Sequence, residues 1–110
     1  LHSSTPMTSK RLRLLDEYID AGLDRPLSVQ AMANLLGLSE GYFMRAFTHA
    51  TGSGPHSYLI DRRVARARAL LRDTSASVAD IAQACGFSSQ AHLATTFRQR
   101  LGVSPSQLRK

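Results

Sequence analysis

Tryptophan is absent from these 110 residues, cysteine occurs once, and aromatic residues make up only 6% of the chain. The lone Cys85 excludes an internal disulfide, and without neighbouring histidines it does not make a zinc site. No apolar run exceeds a few residues, so no segment is expected to span a bilayer. The polar stretch Leu1–Ser9 does not read as a secretory signal. Sparse cysteine fits a reducing compartment, and a cytoplasmic location is expected. Acidic residues are also scarce: eight Asp and Glu stand against fourteen Lys and Arg, for a formal charge of +6.

Twelve of those fourteen basic residues are arginine, and they are unevenly placed. Arg62, Arg63, Arg66, Arg68 and Arg72 fall between Asp61 and Asp73 with no acid among them. From Arg98 to Lys110 the chain carries four positive charges and no acid, whereas Asp16, Glu17, Asp20 and Asp24 cluster near the start. A polyphosphate partner requires such a basic stripe, and the planar fork of arginine suits phosphate oxygens and guanine edges.

The chain also repeats itself. S-V-Q-A-M-A-N-L-L-G-L-S begins at Ser28, and S-V-A-D-I-A-Q-A-C-G-F-S begins at Ser77. Each copy runs on to a phenylalanine (Phe47, Phe97), a glycine (Gly52, Gly102) and a proline (Pro55, Pro105). The copies pair Ala33 with Ala82, Gly37 with Gly86 and Ser39 with Ser88, with one extra residue between the second copy's turn glycine and its phenylalanine. Two copies are too few for a solenoid. A short helix, a glycine turn and a second helix form the helix-turn-helix unit that enters a DNA groove.

Periodicity and caps predict an all-α chain of about seven helices. The first spans Ser9 or Lys10 to Gly22, with Leu12, Leu15 and Ile19 inward and Leu14 and Tyr18 widening the stripe. Ser28 caps a second helix packed through Val29, Met32, Ala33 and Leu36, and Gly37 ends it. Ser39 caps a third, with Phe43, Ala46, Phe47 and Ala50 buried. Pro55 opens a long fourth helix running to about Arg72. Ser77 with Asp80 starts a fifth through Val78, Ile81, Ala82 and Cys85. Ser88 or Ser89 starts a sixth through Leu93 and Phe97, and Ser104-Pro105 opens a short last helix. Cys85 is expected to act as a small core residue. The resulting division is a leader or linker over 1–8, helix-turn-helix subdomains over 9–54 and 73–110, and a linker helix over 55–72.

With the buried positions removed, Glu40, Gly41, Tyr42, Met44, Arg45 and His49 form the reading face of the first unit. Ser89, Gln90, Ala91, His92, Thr95 and Gln99 form that of the second. Arg45 is the leading candidate for a base contact, since bidentate arginine to guanine is the commonest specific pairing. Gln90 suits adenine, Ala91 a thymine methyl, and His92 and Thr95 a base-edge donor or acceptor; Tyr42 and Met44 complete the base-reading set. Arg63, Arg98 and Arg100 are expected on phosphates, as are the helix-start serines Ser28, Ser39, Ser77 and Ser88.

From Arg63 to Pro105 the chain resembles the signature of the AraC/XylS family of bacterial transcription regulators. The G-F-S-S-Q, the phenylalanine and the closing G-V-S-P fall in that family's order, and P-L-S-V-Q-A-M-A-N-L-L-G-L-S is similar to its first unit. The resemblance implies two helix-turn-helix units on one linker helix, with both recognition helices on one face of double-stranded DNA. It further implies RNA polymerase as a partner and a separate effector-binding or dimerisation domain in the full-length protein. The start without methionine fits a domain excised from such a regulator. Arg45 falls where the family often carries a base-reading arginine. Thr95 falls where the second unit often carries another, so the first unit is expected to supply more discrimination and the second more backbone anchoring.

No catalytic residue, metal site or cofactor is expected: His2, His49, His56 and His92 are scattered, and no Ser/His/Asp set or glycine-rich loop after a strand commends itself. The rival reading is a helical protein-docking module, which Glu40 favours because a carboxylate at the mouth of the third helix repels phosphate. Steep salt dependence belongs to groove binding and not to an apolar docking surface.

Overall fold

A computed structural model describes residues 7–109. Among them the elements are α1 (Ser9–Ala21), α2 (Val29–Leu35), α3 (Glu40–Thr51), α4 (Pro55–Asp73), α5 (Val78–Ala84), α6 (Gln90–Leu101) and α7 (Pro105–Arg109), with no strand. Leu1–Pro6 of the expected leader lie outside the described residues. Its last two residues, Met7 and Thr8, lie among the described ones. Thr8 caps α1 by accepting the Arg11 N–H at 3.1 Å, and Met7, just before the cap, is 8% exposed. An apolar residue at that place commonly folds back onto the helix it precedes.

The described chain divides into two compact units. The first contains α1, α2, α3 and the opening of α4 as far as Leu59. Its buried apolar side chains include Leu15, Ile19, Met32, Ala33, Phe43, Ala46, Phe47 and Leu59. The Phe43 and Phe47 rings lie 5.6 Å apart, and Tyr58 meets Phe47 edge-on at 4.9 Å. The phenol of Tyr58 donates to Asp16 Oδ1 at 2.6 Å, so α4's first turns are joined to α3 by the ring contact and to α1 by this hydrogen bond. Two expected core positions are exposed, Leu14 at 44% and Ala50 on α3. Leu15 and Ile19 alone are buried on α1, so its inner stripe is narrower than the apolar pattern suggested.

The second unit holds the rest of α4 from Ile60, then α5, α6, α7 and the segment Leu23–Pro26. Val64, Ala67, Leu71, Ile81, Ala82, Cys85, Phe87, Leu93 and Phe97 form one core, with Leu101 and Leu108 packed against it. Burial pushes the Cys85 thiol above its ordinary pKa, opposed by the charges of Arg66 and Arg63. It behaves as the small apolar residue its place in the repeat implies.

Ser28, Ser39 and Ser77 each cap the helix that follows, accepting the N–H of Ala31, Tyr42 and Asp80 respectively. At α7 the cap is reciprocal: Gln107 N–H reaches Ser104 Oγ at 3.2 Å while Gln107 Oε1 accepts from Ser104 N–H at 2.8 Å.

Candidate nucleic-acid interface

Both turns are the same Schellman motif. After α2, the Gly37 N–H donates to Asn34 O and the Leu38 N–H to Ala33 O, at 3.1 and 3.0 Å. After α5, the Gly86 N–H donates to Gln83 O and the Phe87 N–H to Ala82 O, at 3.2 and 2.9 Å. The glycines take φ of 71° and 83°, in the left-handed region that an L side chain resists. Of the apolar residues after the glycines, Phe87 is buried in its unit's core and Leu38 is half-buried. Ala33 and Ala82 are each 1% exposed.

The turns deliver helices of equal length: α3 and α6 are twelve residues each, and each ends on a left-handed glycine, Gly52 or Gly102. The extra residue of the second copy therefore sits in its turn. Ser89, rather than Ser88, caps α6, accepting the His92 N–H at 3.0 Å. Ser88 presents its N–H and hydroxyl to His92 Nδ1, at 3.3 and 3.2 Å. Because Nδ1 accepts from a backbone N–H, the neutral imidazole carries its proton on Nε2. Phe87 packs edge-on against the same ring at 5.4 Å. His92 is thus held by its turn with a donor directed away from it.

On α3 the faces separate cleanly. Phe43, Ala46 and Phe47 are buried, whereas Glu40, Gly41, Met44, Arg45 and His49 are exposed and Tyr42 is half-buried. The Arg45 guanidinium makes no hydrogen bond or ion pair among the described residues, so it is available to a ligand. On α6, Leu93, Thr96 and Phe97 are buried, and Gln90, Ala91, His92, Thr95 and Gln99 are exposed. Thr96 stands where α3 has Ala46, and its hydroxyl is satisfied by His92 O at 2.8 Å.

The basic residues divide into those that are free and those already engaged. Arg98 is exposed, and its guanidinium makes no hydrogen bond or ion pair among the described residues. Arg100 reaches Asp61 Oδ1 at 2.9 Å, an exposed pair of the kind that contributes little to stability. Arg63, expected on a phosphate, is already engaged with backbone carbonyls. Its Nε donates to Leu23 O at 3.2 Å and its Nη2 to Arg25 O at 2.8 Å, which fastens the loop entering α2. Burial lowers its pKa, with Cys85 acting in the opposite sense. Arg109, not singled out from the sequence, does the same for the loop entering α5: its guanidinium donates to the carbonyls of Leu71, Thr74 and Ala76. These contacts join residues 33 to 40 positions apart, and no local pattern announces them.

No helix of the described residues is long and apolar enough to cross a membrane. Comparison with known proteins agrees with the geometry. A family model described as a helix-turn-helix domain matches residues 32–110. Over its full length the chain is 34% identical to the HTH-type transcriptional activator RhaS of Escherichia coli and covers 40% of that protein. It spans about two fifths of the length of the curated relatives it matches. A Chromobacterium violaceum transcriptional regulator, described as an AraC-type DNA-binding domain-containing protein, superposes with a TM-score of 0.85 at 34% identity, over 91% of this chain and 89% of that one. The DNA-binding domain of AdpA, a global transcriptional factor solved in complex with a target DNA, superposes at 0.83 with 32% identity, over 93% and 91%. With its two Schellman turns and paired twelve-residue helices, the chain belongs to the AraC-type helix-turn-helix family of transcription regulators.

Proposed function

We propose that this chain is the DNA-binding part of a transcription regulator and recognises duplex DNA sequence-specifically. In this reading α3 and α6 enter major grooves about 10 bp apart. The observation that carries it is the twin construction: the same turn twice, each followed by a twelve-residue helix whose non-core side is exposed. The DNA-bound AdpA domain supports it as a neighbour of the same fold. The reading takes 9–54 and 73–110 as the subdomains and 55–72 as the linker helix, whose opening to Leu59 packs in the first compact unit and whose remainder packs in the second.

On α3, Arg45 is assigned to a guanine edge, with Tyr42 and Met44 beside it. On α6, Gln90 is assigned to adenine, Ala91 to a thymine methyl, His92 to a base acceptor through Nε2–H, and Thr95 to a base edge. Ser28, Ser39, Ser77 and Ser88, with Arg98 and Arg100, are assigned to phosphates, Arg100 by exchanging Asp61 for a phosphate oxygen. The rest of the regulator supplies an effector or dimerisation domain, RNA polymerase is the partner through which transcription is activated, and the complex works in the cytoplasm.

Selection of bound sequences from random duplexes at two salt concentrations tests this reading. Two short boxes about one helical turn apart are expected, with affinity falling steeply as salt rises because each neutralised phosphate releases counterions. No enriched sequence, together with salt-insensitive binding, would replace DNA by a protein partner.

A further inference from the structure

The least explained residue on the reading face is Gly41. Glycine is disfavoured inside a helix relative to alanine. At Gly37, Gly52, Gly86 and Gly102 a positive φ accounts for it, but Gly41 is helical and takes no positive φ. Nor does packing against the core demand it. A Cβ built at Gly41 meets one atom within 4 Å, Nη1 of Arg45 at 3.5 Å.

Helical side chains lean toward the N-terminus over the residue four positions back. The Arg45 side chain follows that rule, and its guanidinium lies over the bare backbone at Gly41. The second unit makes the opposite pairing. Setting Gly52 on Gly102 aligns Gly41 with Ala91 and Arg45 with Thr95. The second unit thus carries no long side chain that has to be seated over position 91.

We propose that Gly41 is a positioning residue that determines specificity. Its missing side chain leaves open the space in which the Arg45 guanidinium lies, so discrimination at the base read by Arg45 depends on position 41 staying small. A methyl group at 3.5 Å is ordinary contact and is tolerated. Atoms beyond Cβ compete for the volume the guanidinium occupies and release Arg45 into its other rotamers. The inference rests on the base-reading role of Arg45 given above.

The test is a double-mutant cycle read as base preference. The preferred duplex and its single-base variants are bound by the parent, Gly41→Val, Arg45→Ala and the double variant, with Gly41→Ala as the conservative control. Arg45→Ala is expected to lower discrimination at one base about 5- to 150-fold. Gly41→Val should lower it at the same base, and add little once Arg45 is gone. Gly41→Ala should keep the preference. Gly41→Gln, a better helix former, serves the same end should valine loosen the first turn of α3.

Equal losses from Gly41→Val with and without Arg45 would mean direct obstruction of DNA and overturn the proposal, as would an unchanged preference in both Gly41→Val and Gly41→Gln. If Arg45→Ala leaves every base preference intact, the reading of Arg45 fails and the inference falls with it. That result is told apart by the Arg45→Ala arm alone.

Discussion

Gly37 and Gly86 hold the same place in two copies of one turn, yet a methyl group added to each would meet different surroundings. At Gly37 it would find nothing within 4 Å. At Gly86 it would fall 2.1 Å from the carbonyl oxygen of Leu23 and 2.8 Å from Arg63 Nε. The first glycine is required by its backbone conformation alone. The second is required twice, by its φ and by a carbonyl that Arg63 holds in place with a hydrogen bond. The reading helices differ in the same instructive way. α3 exposes Met44 and Arg45 with Gly41 beneath the guanidinium, while α6 presents Ala91, Thr95 and a His92 anchored to its turn. One copied unit has kept an open turn and a long-reaching arginine; the other has a crowded turn and short side chains. Repetition of the backbone does not oblige repetition of the contacts.

The glycines give the largest test. Gly37→Ala should cost about 1–2 kcal/mol, the strain of an L residue in the left-handed region. Gly86→Ala adds a collision with fixed backbone to that strain, and should cost about 2–5 kcal/mol in all. Urea unfolding followed by circular dichroism compares the two. Equal losses would mean that the Leu23 carbonyl yields freely, and the contrast between the turns would disappear.

The arginine fastenings come next. Arg109→Ala and Arg63→Ala should each cost about 1–3 kcal/mol, because hydrogen bonds from a charged donor are lost and carbonyls lose their partner. Arg109 serves three carbonyls and Arg63 two, so the Arg109 loss is expected to be the greater. Lysine at either position keeps the charge but not the fork, and should recover less than half. Recovery in full by lysine would reduce both fastenings to simple charge effects.

Much of this architecture can be read from the chain because its signals are local. Ser28, Ser39 and Ser77 act within three residues of themselves, and Gly37 and Gly86 act on the carbonyls of the turn just before them. The exposed face of α3 follows by subtraction once Phe43 and Phe47 are placed in the core. What could not be read is what depends on distance along the chain or on reach. Arg63 looks like any other member of a basic run until Leu23 and Arg25 are seen beside it. Arg109 is one charge near a basic terminus until three carbonyls converge on it. Leu14 shares the apolar character of Leu15, and only packing reveals that one is exposed and the other buried. The role of Gly41 depends on where the Arg45 side chain lies, which spacing alone does not give.

The smallest expected effect bears on how the two copies are aligned. Pairing Ser39 with Ser88 would place Arg45 opposite Ala94 and Phe47 opposite Thr96, setting a core ring against a hydroxyl. Pairing it with Ser89, as the caps do, sets Phe47 against Phe97 and Arg45 against Thr95. The hydrogen bonds imply an asymmetry between the adjacent serines. Ser89→Ala leaves the His92 N–H without its capping acceptor and should cost about 1 kcal/mol, as should Ser39→Ala in the first unit. Ser88→Ala removes only a hydroxyl beside His92 Nδ1, whose bond from the Ser88 backbone N–H survives, and should cost about half that or less. Thermal melts of the three variants decide the matter. A larger loss at Ser88 than at Ser89 would move the start of α6 back by one residue, and the whole correspondence between the reading faces, Thr95 with Arg45 included, would shift with it.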